Sequence, residues 1–267
     1  MQYDKCDAKS DSRSAAHIND YQKSIYEDVE KNMADRLVAR YSEAMEPLKR
    51  KGKIKILDIG GASGFFSKAL HKYFSENGCE IVVIDNTRYD TWDEFGGETI
   101  KFIEDSAENI GKIFPENTFD LIFANRVFHH LVTATGWKDT VRNITDIVKQ
   151  VSKVLKGDGV FCVTEHCCDG ILFDASASAV IYTLTSCKLP LLARIFRRIE
   201  AKSAGVGVCY LSKKMWMTII DNCGFMVDKI YEGHKISWNF MKRIVYGALL
   251  FIRRHRMDVT IICKKKR

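Results

Sequence analysis

The sequence predicts an α/β fold: a mostly parallel seven-stranded sheet with helices on both faces, a helical cap before it and an insertion after strand five. Three observations carry this expectation. Short runs rich in Val, Ile and Phe alternate with stretches of helical periodicity, the pattern of a parallel sheet buried between helical layers. The apolar run 54–59 passes directly into the glycine turn Gly60-Gly61-Ala62-Ser63-Gly64 and then into a helical pattern. Successive strands end on polar residues: Asp85, Asp105 and Asn125.

The elements follow in order. Ile18, Tyr21, Ile25, Val29, Met33, Leu37, Tyr41, Met45 and Leu48 recur every three or four residues. Residues 15–51 therefore read as an N-terminal cap of one amphipathic helix, or two in tandem, ending near Pro47 and Gly52. Strands are expected at 53–59, 80–85, 99–105 and 119–125, with a helix from about Phe65 to Glu76. Trp137, Val141, Ile144, Val148, Val151 and Leu155 mark a helix that closes at Gly157-Asp158-Gly159. A fifth strand covers 160–165. Residues 169–208 break the alternation with apolar runs where a helix is due, and read as an insertion or lid. The half 209–267 holds a helix (211–224), a strand (225–233), a helical segment at about 236–254 and a last strand (257–265).

At 46% hydrophobic and 28% charged, the 267 residues have the composition of a soluble globular chain, here a single domain. The first residues are polar and lack the apolar segment of a secretory signal. Nine cysteines without a Cys-x-x-Cys pair or zinc spacing point to reduced thiols, a cytoplasmic setting and no metal site. The adjacent pair Cys167–Cys168 fits small core residues better than a redox centre. Net charge is +7, but residues 234–267 hold ten bases and one acid, or +9, against −2 for the rest. Such a tail suits an anionic partner, either a membrane surface or nucleic acid, and equally a solvated end. Within it, the apolar run 244–252 lies between basic clusters and is too short to span a bilayer. Residues 242–256 thus read as a peripheral contact with anionic membrane or as a packed helix.

Ligands of open parallel sheets bind beyond the carboxyl ends of the strands, beside the first one. Glycines admit a ligand close to the backbone, and a helix starting near Gly64 offers N–H groups to an anion. Asp58, just before the turn, adds a negative charge that a phosphate site would avoid. A ligand with both an ammonium and a carboxylate suits that mixture, although such an Asp also serves simply to accept turn N–H groups. Ala62 and Phe65 stand where a Gly-x-Gly-x-x-Gly dinucleotide turn needs glycine, and no Walker lysine follows. An acid at the tip of strand two can grip both ribose hydroxyls, and Asp105 with the next backbone N–H can read an adenine edge.

With these features in place, the sequence resembles the class I S-adenosylmethionine-dependent methyltransferases, with their Rossmann-like sheet. "ILDIGGASGFFSKAL" is similar to their first motif and "IVVIDNT" to their acidic second strand. "FIEDSAENIGKIFPENTFDLIFANRVFHHL" resembles their adenine loop and fourth strand, and "VSKVLKGDGVFCVTE" the following helix, turn and fifth strand. The resemblance covers 52–166, the cofactor half. It implies S-adenosyl-L-methionine as cofactor, with Asp58, Gly60, Gly61, Ala62 and Gly64 holding the methionine portion. It also implies Asp85 and Asn86 at the ribose, Asp105 and Ser106 at the adenine, and Asn125 at the tip of strand four. Ala62 departs from the family's usual glycine.

Methyl transfer needs a positioned nucleophile and, for many acceptors, a base. His129 and His130 after strand four, and Glu165 and His166 at the tip of strand five, are the candidates, with His129 and His166 preferred. A histidine base implies activity falling below about pH 6. The signatures of amino-methylating and cytosine C5 nucleic-acid enzymes are absent: Asn125-Arg126-Val127-Phe128 follows strand four, and no Pro-Cys pair occurs. The expected acceptor is a small, rather apolar molecule. RNA or protein methylation through the basic tail, and a non-catalytic cofactor-binding role, are the rivals.

Overall fold

The structure, a computed structural model, describes residues 20–76, 78–187, 207–235 and 252–266. Helix α1 spans Asp20–Lys49 without a break, so the cap is one helix and ends two residues after Pro47. The chain continues through β1 (Ile54–Ile59), α2 (Phe65–Tyr73), β2 (Cys79–Asp85), α3 (Thr91–Phe95) and β3 (Ile100–Glu104). Then come α4 (Ile110–Ile113), β4 (Phe119–Asn125), α5 (Trp137–Val154), β5 (Leu155–Gly170) and α6 (Asp174–Ser186). The last elements are α7 (Lys213–Asn222), β6 (Phe225–Tyr231), β7 (His234–Lys235) and β8 (Ile252–Lys265).

The sheet order is β3-β2-β1-β4-β5-β8-β6, with β7 paired to β8. Strands β1 to β5 are mutually parallel, and β8 runs antiparallel to β5 and β6. The described strands number eight rather than seven, because the two-residue β7 is too short to leave a sequence pattern. The strand order reverses between β1 and β4, which makes their carboxyl ends the switch point where α/β folds bind ligands.

Side-chain alternation divides the core. Ile54 and Ile56 face α1 and α2, packing with Leu37, Tyr41, Met45, Phe66 and Leu70. Leu57 and Ile59 face α5 and α7, packing with Ile144, Val148, Trp216 and Ile220. By the same period of two, Asp58 lies on the α1–α2 face and Glu165 on the α5–α7 face.

Three expectations need correction. Strand five starts at Leu155 and runs to Gly170, carried past residue 165 by a register shift against β8. The glycines of 157–159 therefore lie inside the strand, and α5 ends at Val154. Residues 252–254, expected to be helical, belong to β8, whose antiparallel pairing with β5 supplies their backbone partners. Of the segment 242–256, residues 242–251 lie outside the described residues; Arg253 and Arg254 are exposed, whereas Arg256 is buried and ion-paired with Asp169 and Glu232. Of the insertion 169–208, residues 188–206 lie outside the described residues, and 174–186 form α6. Among the described residues no helix is long and apolar enough to cross a membrane, and none of their His, Cys, Asp and Glu groups could hold a metal ion. Cys167 and Cys168 are both buried in the core.

Candidate functional site

The glycine turn is built by close approach. Gly60 has φ +66, its N–H donates to Ile84 O at 2.8 Å, and a Cβ there would run into Val127. A Cβ on Gly61 would lie 2.6 Å from both Asp58 Oδ2 and Val83, and one on Gly64, at φ +84, 2.8 Å from the Phe102 ring. Ala62 adopts φ +44, so it occupies the left-handed conformation that its glycine relatives adopt without strain.

Asp58 is 1% exposed and accepts Ser67 Oγ–H at 2.7 Å. Burial, reinforced by Glu30 and Asp85, pushes its carboxyl up to about 8. Asp85 braces the turn from β2: Oδ2 accepts the Ala62 N–H and Oδ1 the Thr87 N–H, each at 3.0 Å. Burial pushes Asp85 up to about 6. Asn86 is exposed beside it. Asp105 Oδ1 accepts Ser106 N–H at 2.7 Å and Asn109 Nδ2 at 2.8 Å, while Ser106 caps the following 3-10 turn by accepting Glu108 N–H. At the β4 tip, Asn125 Oδ1 accepts the Tyr41 hydroxyl at 2.5 Å, and its Nδ2 is buried without a partner. Asp58 and Asp85 thus converge on the turn that joins β1 to α2, Asn125 lies at the tip of the neighbouring β4, and Asp105 is joined to the β2 tip by its N–H to Asp85 O at 3.0 Å.

Several supports left no mark in the sequence. Thr91 Oγ1 donates to Ser63 O, and Trp92 Nε1 to Ala62 O, both at 2.7 Å. Glu30 of α1 accepts the Ser63 N–H at 3.1 Å, the Ser63 hydroxyl and the Phe66 N–H at 3.3 Å. The N–H groups expected to await an anionic ligand are therefore already taken by a carboxylate of the chain.

The acceptor-side candidates divide differently. His129, buried in the 3-10 turn after β4, sets Nδ1 2.7 Å from Glu165 Oε2, and Glu165 Oε1 accepts the Phe128 N–H at 2.7 Å. Burial keeps His129 neutral, down to about 3, and lifts Glu165 to about 7. A neutral imidazole that donates Nδ1–H to this carboxylate leaves Nε2 as an acceptor. His166 is 5.3 Å from His129 between ring centroids, and its Nδ1 is buried without a partner. Tyr210 lies 5.2 Å and 5.8 Å from these two rings, and His255 of β8 lies 6.1 Å from His166 with Nε2 buried and unpartnered. Burial holds His166 and His255 below the ordinary imidazole range. His130 is exposed, its ring tilted 42° to that of His129 with 4.0 Å between centroids. In the sequence His255 falls in 242–256, read as a membrane contact or a packed helix; pairing of β8 with the prolonged β5 brings it here.

Residues 57–163 match the family model described as "Methyltransferase domain". Over that segment, about two fifths of its length, the chain is similar to methyltransferase domains. The uncharacterized methyltransferase YcgJ of Bacillus subtilis (strain 168) is 27% identical over 118 residues, 42% of this chain and 40% of that protein. Malonyl-(acyl-carrier protein) O-methyltransferase 1 of Ilyobacter polytropus is 30% identical over 105 residues, 39% of this chain and 36% of that protein. The chain thus matches about two fifths of the length of these curated relatives. The crystal structure of Burkholderia thailandensis 1,6-didemethyltoxoflavin-N1-methyltransferase, with 1,6-didemethyltoxoflavin and S-adenosylhomocysteine bound, has a similar fold. Its TM-score is 0.55 at 12% identity, over 94% of this chain and 84% of that one.

The matched segment fits S-adenosyl-L-methionine, the cofactor its resemblance implies, on two structural grounds. Its turn keeps Cβ-free backbone at Gly60, Gly61 and Gly64, and the orphaned Asn125 Nδ2 points to a missing acceptor.

Proposed function

We propose that the chain binds S-adenosyl-L-methionine and transfers its methyl group to O, N or C of a small, rather apolar acceptor. The observation that carries the reading is the buried His129–Glu165 pair, held where the 3-10 turn after β4 meets the interior of β5, with Val127 of the same turn region against Gly60. Asp58, Gly60, Gly61, Ala62 and Gly64 would hold the methionine portion, Asp85 and Asn86 the ribose, Asp105 and Ser106 the adenine, and Asn125 the remaining edge. When bound, S-adenosyl-L-methionine supplies an already activated methyl group, so the protein's task is to hold the acceptor in line and take its proton.

Glu165 orients His129 through Nδ1, leaving Nε2 to receive that proton. The rings of His166, Tyr210 and His255 line the same region and would receive a compact, partly aromatic or apolar acceptor, with the two unpartnered nitrogens accepting from its polar hydrogens. The Burkholderia enzyme of similar fold was crystallised with the small molecule 1,6-didemethyltoxoflavin bound. The basic end of the chain gives less support to a nucleic-acid substrate, because Arg256, Lys264 and Lys266 are engaged by Asp169, Asp228 and Asp221. Turnover with a metabolite panel tests the proposal. Activity lost in His129→Ala supports it, whereas salt-sensitive RNA binding without small-molecule turnover favours a nucleic-acid acceptor.

A further inference from the structure

Helix α1 reaches the cofactor turn through Glu30, and the chemistry of that side chain is the reverse of what the start of α2 offers by itself. Gly64 precedes α2 and has no side chain to cap it. Glu30 provides the cap from a different element, taking the Ser63 and Phe66 N–H groups and the Ser63 hydroxyl. With Glu30 in place, the Ser63 and Phe66 N–H groups are taken, and the α2 N-terminus presents a carboxylate of its own.

Glu30 is also the third acid around five residues of backbone. Asp58 lies beneath Gly61, 2.6 Å from where its Cβ would be, and Asp85 holds the Ala62 N–H. Among the described residues no Lys, Arg or His forms an ion pair with any of the three. Burial raises all three, Glu30 to about 7, Asp58 to about 8 and Asp85 to about 6. Three buried acids without a counter-ion make this turn short of positive charge, and a ligand cation would offset the desolvation they carry.

We infer that Glu30 is a cofactor-binding residue, receiving with Asp58 the α-ammonium group of the methionine end. The inference rests on the cofactor reading above and adds a residue from outside the matched segment 57–163. Oε2 of Glu30 accepts both the Ser63 N–H and the Ser63 hydroxyl, whereas Oε1 accepts the Phe66 N–H and keeps lone-pair capacity, so the cap and an ammonium contact at Oε1 are compatible. The ligand's carboxylate must then lie away from the α2 N-terminus, on the side not occupied by Glu30.

The test is titration calorimetry of wild type and Glu30→Gln with three probes. These are S-adenosylmethionine, its decarboxylated form, which keeps the amine, and 5′-methylthioadenosine, which lacks the whole amino-acid end. Glu30→Gln is expected to weaken the first two by about 10- to 100-fold, the loss of one charge-assisted contact, and to leave the third unchanged. Ser63→Ala removes one donor to Glu30 but keeps its charge, so it is expected to retain the preference for amine-bearing probes. Tighter S-adenosylmethionine binding in Glu30→Gln with the decarboxylated probe unaffected would overturn the inference, since Glu30 would then merely occupy the place of the ligand carboxylate. Equal weakening of all three probes with a lowered Tm would also overturn it and leave Glu30 as a helix cap. Wild-type protein that binds none of the probes would overturn the cofactor reading and this inference together.

Discussion

Replacing Asp58 by Asn should move stability and cofactor affinity in opposite directions. Asp58 is 1% exposed, is held by Ser67 Oγ at 2.7 Å, and has its carboxyl raised from 3.8 to about 8. The folded value lies above the unfolded one, so the folded protein holds the extra proton between about pH 4 and pH 8. Stability is therefore lost as pH rises through that window. A displacement of about four units corresponds to about 5 kcal/mol at pH 8, taking about 1.4 kcal/mol per unit. An introduced amide N–H without a partner returns about 1–3 kcal/mol of that. D58N should then be more stable than wild type by about 2–4 kcal/mol at pH 8, or roughly 4–16 °C in Tm, and by less at pH 5. Its affinity for S-adenosylmethionine should nevertheless fall by about 1.5–3 kcal/mol, the worth of a charged contact. Thermal scans at several pH values and calorimetry read the two quantities separately. A lower Tm at pH 8, or wild-type affinity, would refute the reasoning.

Other substitutions probe neighbouring parts of the site. Glu165→Gln keeps the shape but places an amide N–H against His129 Nδ1 or Phe128 N–H. Turnover should fall about 10²–10⁴-fold with S-adenosylmethionine affinity unchanged, and loss of cofactor binding would contradict the division of roles. The acid limb of the wild-type rate should lie near pH 7, where Glu165 gains its proton, rather than at pH 6: burial holds His129 neutral down to about 3. Gly60→Ala should weaken cofactor binding more than about tenfold, because its Cβ meets Val127 and its φ is +66; shortening Val127 to Ala in the same protein should restore part of the loss, as binding titrations can show. Ala62→Gly relieves a left-handed alanine at the cost of chain entropy, so its Tm should stay within about 1 kcal/mol equivalent of wild type.

The glycine turn, Asp58 and the polar strand tips were legible because each is a local pattern: a residue type at a fixed place relative to one strand. Their convergence followed from the parallel alternation of strands and helices. Glu30 was not legible, since it meets Ser63 from 33 residues upstream and occupies an ordinary exposed-face position in a helical repeat. His255 was not legible for a related reason. The run 252–256 alternates no more clearly as a strand than as a helix, and only the register with β5, opposite Cys168, decides its side. Arg126 and Asp258, 2.5 Å apart, are likewise joined by topology alone. The histidine chemistry was half legible. His129 was picked out by its place after β4, but its neutrality depends on burial, which residue type does not reveal.

Methyl transfer from S-adenosylmethionine labelled in its methyl group to an unfractionated metabolite extract is the most direct measurement. Wild-type protein is expected to place label in the low-mass fraction, and Glu165→Gln to bind the cofactor but leave that fraction nearly unlabelled. Label appearing in RNA or protein, or tight cofactor binding with no transfer to any fraction, would contradict a small-molecule methyltransferase built on the His129–Glu165 pair.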